Sequence, residues 1–83
     1  MKSLTLSAVA LALALSSGAA LAFECPADMT KIDAALAKNP SLDSSQIAKV
    51  KGLRASGEQL HKSGKHGESV EALREAMQIL GIQ

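Results

Sequence analysis

The sequence predicts an all-α chain: a cleavable signal peptide, then a small antiparallel three-helix domain whose last two helices form a hairpin. Three observations predict it. Leu4 to Leu15 is an apolar run rich in Leu and Ala, broken only by Thr5 and Ser7. Beyond it, apolar residues recur at spacings of three and four over three stretches, and no stretch alternates with the period of a strand. Asn39-Pro40 and Ser63-Gly64-Lys65-His66-Gly67 separate those stretches with residues that break helices.

The leader has three zones. Met1 and Lys2 supply a positive end, the apolar run follows, and Ser16 to Ala22 is built of small residues around Leu21. Ala20-Leu21-Ala22 fits a small-x-small cleavage pattern, so cleavage is expected after Ala22. A membrane anchor needs about 20 consecutive apolar residues, whereas Ser16, Ser17 and Gly18 interrupt this run early. No stable membrane anchor is therefore expected after cleavage. A lipid on Cys25 is not expected either, because Phe23 and Glu24 stand where a lipoprotein leader needs small residues. The expected location is periplasmic or secreted.

Without the leader the composition changes character. The 47% hydrophobic content and the mean hydropathy of +0.13 both include it. Residues 23–83 carry 8 basic and 8 acidic side chains, so their formal charge is zero. Nucleic acids and anionic membranes select basic surfaces, so neither is expected as the main partner. Phe23 is the only aromatic, which leaves no platform for base stacking. A chain this short makes one domain with a small core, and such domains often need a disulfide, a metal or a partner subunit. One cysteine cannot make an internal disulfide.

The first domain helix is expected over about residues 27–38. Pro26 suits its first position, Asp28 its positive first turn, and Met29, Ile32 and Leu36 line one face. Asn39-Pro40 ends it, because the residue before proline is pushed out of the helical region. The second helix is expected over 44–62. Asp43 and Gln46 have the spacing of a capping box, and Ile47, Val50, Leu53, Gly57 and Leu60 share a face. The third is expected over 68–80, with Glu68 and Glu71 near its start and Val70, Leu73, Met77 and Leu80 as its stripe. Gly81 stops it.

Charge favours laying these helices side by side. Residues 44–66 carry a balance of +4, and residues 23–43 and 67–83 each sum to −2. Each exposed pair contributes under about 1 kcal/mol, so the pattern orders the helices without setting stability.

From Leu53 to Gly81 the chain resembles a single tetratricopeptide repeat. Gly57 stands at the family's early small residue, Leu60 at the large one that follows, Gly64 at its turn glycine and Glu68 at the next acidic position. Ser69 and Ala76 occupy its two alanine places, and Leu73 replaces the usual aromatic. The resemblance implies a helical hairpin in which Gly57, Ser69 and Ala76 let the axes approach while Leu60 and Leu73 interlock. Leu53 in the tryptophan place, Ser56 in a leucine place and Gly81 in the terminal proline place depart from the pattern. One unit is too few to build the groove of a repeat array. The overall layout is similar to that of small exported bacterial proteins.

Cys25 is the most informative single residue. Beside Pro26 it is expected at a helix N-terminus, whose positive end favours a thiolate. An odd cysteine in an oxidising compartment suggests an intermolecular disulfide or a reactive thiol, and the plain alternative is a structural cysteine packed on the bundle. No C-x-x-C or C-x-x-C-H is present, so neither a self-contained oxidoreductase nor haem attachment is expected. His61 and His66 flank the turn and could converge on a metal, with Glu68 or Cys25 as a further ligand. They would equally serve as pH sensors or as exposed turn residues. Gly64-Lys65 is similar to the end of a phosphate-binding loop, but His66 stands where Ser or Thr is needed. Asn39-Pro40-Ser41 is no glycosylation acceptor, because proline blocks it. No Ser-His-Asp or paired-carboxylate arrangement stands out.

The chain is therefore expected to be no enzyme and to need no cofactor. Phe23, Leu42, Ile79 and Ile82 are left over once the three stripes are assigned, and covering them calls for a protein partner or a second copy. Metal binding through His61 and His66, with Cys25 as an optional third ligand, is the alternative.

Overall fold

The expected leader and the domain share one helix. The computed structural model describes the backbone of residues 2–38 and 40–83 and the side chains of residues 20–38 and 40–83. Among these residues the chain is all-α: α1 (Lys2–Ala37), α2 (Ser44–Lys62) and α3 (His66–Leu80). The side chains of the apolar run and of Ser16, Ser17 and Gly18 lie outside the described residues, as does Asn39.

The start of the first domain helix is a correction. It was expected near residue 27 with Pro26 in its first position, yet Pro26 lies inside α1. Ala and Leu upstream are strong helix formers, so the helix runs from there into the domain without a break. Proline has no N–H, so Ala22, four residues back, loses its usual donor and the helix is weakest there. Cys25 is accordingly not at a helix N-terminus in the full chain, and Asp28 is not in a first turn.

The second helix opens on a capping box. An Asp43 Oδ1 accepts from the Gln46 amide at 2.8 Å, and the Asp43 amide donates to Gln46 Oε1 at 3.2 Å. It closes in a Schellman turn: Gly64 takes φ +79°, its amide donates to the His61 carbonyl at 3.1 Å, and the Lys65 amide donates to the Leu60 carbonyl at 2.9 Å. Only Lys65 then separates the glycine from α3, which begins at His66, two residues before the expected start. A second Schellman turn at Gly81, φ +71°, ends α3, with Ile82 donating to the Met77 carbonyl at 3.0 Å.

The core is small. Cys25, Met29 and Ile32 from α1, Val50 from α2, and Val70, Leu73, Ala76 and Met77 from α3 form one buried cluster. Leu21, Leu36, Leu53, Ile79, Leu80 and Ile82 pack against it, half-buried. Gly57 lets α2 and α3 approach closely, because a Cβ there would lie 2.5 Å from Leu73 Cδ2. Ser69, fully buried, donates its hydroxyl to the Gly57 carbonyl at 2.6 Å, which satisfies its polar atom across the same contact. Leu60 is half-buried.

Ion pairs tie each helix to the other two. Arg54 forks onto Asp33 at 3.0 and 3.1 Å, joining α2 to α1, and also meets Glu58 at 2.8 Å. Lys49 meets Glu75 at 3.5 Å between α2 and α3, and Arg74 meets Glu24 at 3.0 Å between α3 and α1.

Candidate functional site

The Schellman turn makes the site. His61 is in the last turn of α2 and His66 is the first residue of α3, so reversing the chain at Gly64 brings the two imidazoles together. Their ring centroids lie 5.0 Å apart with planes tilted by 60°. Both rings are half-buried, and the Nδ1 atom of each is buried without a hydrogen-bond partner.

Cys25 arrives from α1. Its side chain is fully buried, and its sulfur lies 3.2 Å from the Leu21 carbonyl and 3.8 Å from the His66 carbonyl. One ligand atom from each of Cys25, His61 and His66 lies within 4.8 Å of the other two. The three come together although Cys25 and His66 are 41 residues apart. Glu68, a ligand expected from sequence, is exposed and is not part of the group.

A thiol and two imidazoles are the donor set of borderline and soft transition-metal ions. A buried ring nitrogen with no donor or acceptor leaves a desolvated polar atom unsatisfied, at about 1–3 kcal/mol each. The burial of Cys25 also bears on a disulfide to a second chain, since the helices would have to part before Sγ could reach one.

Sequence reasoning missed a second polar group on α1. Asp28 is only 4% exposed and lies one turn from Glu24, which pairs with Arg74. Burial raises the Asp28 carboxyl above its ordinary range, the Glu24 charge raises it further, and Lys31 and Arg74 pull the other way. The spacing of Glu24 and Asp28 was visible in the sequence, but reading a helix start at Pro26 hid the fact that one helix carries both. Of the packing residues expected at the hairpin, Gly57 lies against Leu73 and bonds to Ser69, and Gly57, Ser69, Leu73 and Ala76 are buried.

Comparison with known proteins adds a family. No curated protein matches the chain, and no solved structure matches it. The model of the PA14_33160 family matches residues 24–83.

Proposed function

We propose, for a chain that belongs to the PA14_33160 family, that its helical domain binds a thiophilic transition-metal ion, Zn(II) or Cu(I), through Cys25, His61 and His66. The observation that carries this reading is the approach of three ligand atoms to within 4.8 Å, two of them from half-buried imidazoles flanking one turn. Zinc sits about 2.3 Å from sulfur and about 2.0–2.1 Å from nitrogen. Tetrahedral ligands are then about 3.3–3.6 Å apart, so the three close by about an ångström around the ion. Three protein ligands leave a fourth position open for water or for a partner's donor, which suits an ion that is carried or handed on. The family match begins at residue 24, just past the expected cleavage point, and this supports an exported domain.

The test is a competition titration of the purified protein with Zn(II) and with Cu(I), beside Cys25→Ser and a His61→Ala, His66→Ala double variant. One ion per chain is expected, with both variants weakened. Equal affinity in all three proteins would end the proposal.

A second reading, contact with a protein partner or a second copy, is favoured by Phe23, which is 81% exposed. Sedimentation of the protein beside Phe23→Ser tests it. A monomer at micromolar concentration in both, with no partner recovered in a pull-down, would count against it.

A further inference from the structure

The metal site leans on residues that the expected processing would remove. Leu21 stands one turn upstream of Cys25, half-buried against the core cluster to which Cys25 belongs. Its carbonyl holds the Cys25 thiol at 3.2 Å. Both groups lie on the leader side of the Ala22–Phe23 bond.

We infer that hydrolysis of the Ala22–Phe23 peptide bond opens the Cys25–His61–His66 site to its ion. This rests on the metal-binding reading above and on the cleavage expected from sequence. A leader peptidase adds water across the bond, leaving a carboxylate on Ala22 and an ammonium on Phe23. The leader departs with the Leu21 side chain, which covers the cluster, and with the carbonyl that engages the sulfur. Cys25 then lies in the first turn of a helix that begins near Phe23. An entering metal ion takes the sulfur as thiolate, and the thiol proton passes to water.

Pro26 makes this cut easy on the fold. In an uninterrupted helix four amides, those of residues 23 to 26, would donate to carbonyls upstream of the cut. Residue 26 is proline and has no amide hydrogen, so only three such bonds cross. Proline is also favoured in the first turn of a helix, so the position that weakens α1 in the full chain suits the start of the shortened one. The core cluster lies entirely downstream of the cut, from Cys25 to Met77.

The experiment follows one sample through the cut. The full-length chain is purified in detergent micelles, and its Zn(II) affinity is measured by competition before and after treatment with leader peptidase. Mass confirms loss of residues 1–22, and circular dichroism follows the helices. Zn(II) binding is expected to tighten by up to about tenfold, the scale of one hydrogen bond that ligation no longer has to break, and iodoacetamide is expected to alkylate Cys25 faster. In the uncut chain, Leu21→Ala is expected to speed alkylation as well, because it removes the cover. Equal Zn(II) affinity before and after cleavage would overturn the inference and leave the metal site standing. No Zn(II) binding in either form would overturn the metal site itself. A chain that the peptidase leaves intact, or one whose helices are lost on cutting, would overturn the inference through its premise.

Discussion

At the scale of single residues, two glycines of α2 predict opposite outcomes. Gly57→Ala gains up to about 1 kcal/mol of helix propensity. Against this, the added methyl would sit 2.5 Å from the side chain of Leu73, which is fully buried and has no free space to enter. Overpacking of this kind costs about 1–3 kcal/mol, so net destabilisation is expected in urea unfolding. Gly52 has no heavy atom within 4 Å of the same construction, so Gly52→Ala is expected to stabilise by up to about 1 kcal/mol. Asp28 supplies a pH test. Its carboxyl is raised in the folded protein by burial and by Glu24, with Lys31 and Arg74 opposing. The stability it contributes is therefore full below the unfolded carboxylate range, near about 3.9, and is lost as pH rises through the folded value. Asp28→Asn is expected to raise the melting temperature at pH 7, with the gain shrinking toward pH 4.

At the scale of elements, the caps are decisive. Asp43 accepts from the Gln46 amide and from the Ser45 hydroxyl, and these bonds hold its carboxyl below the ordinary range. A depressed folded value means stability that is present above the unfolded one and lost as pH falls through the folded one. Asp43→Ala is thus expected to lower the melting temperature at pH 7, with the difference from the parent protein narrowing below about pH 4. This cap was legible because its whole geometry is local, from Asp43 to Gln46. So was the turn at Gly64, and with it the pairing of His61 and His66. The start of α1 was not legible. Proline at a first position and proline inside a helix look alike in sequence, and the residues upstream decide between them. The place of Cys25 beside the histidines was beyond local reasoning, since it depends on how α1 docks across 41 residues of chain.

At the scale of the whole molecule, three helices share a core too small to hide every apolar side chain. Phe23 stays out, while Ile79, Leu80 and Ile82 are half-covered. Ion pairs hold the rim. Arg54 is the broadest clamp, and its guanidinium is held above the ordinary range first by its hydrogen bonds to Asp33 and then, past an opposing effect of burial, by the charges of Asp33 and Glu58. Because Asp33 is half-exposed, Arg54→Met is expected to cost no more than about 1 kcal/mol, and less in high salt. A salt-independent loss in denaturation would show instead that packing of the side chain carries the effect.

The turn that pairs the histidines also divides the chain by distance. His61 and His66 meet through neighbours in sequence, so two of the three proposed ligands come together with the hairpin alone. The thiol must be brought from the far end of the domain. An ion joining the two halves would act as a reversible cross-link, closing a loop of roughly 40 residues in a chain whose single cysteine can close none. On the chain-entropy argument used for disulfides, a closure of that length restricts the unfolded ensemble by up to about 4 kcal/mol. Stability would then track the supply of metal in the surrounding compartment, and scarcity would loosen α1 before it disturbed the hairpin.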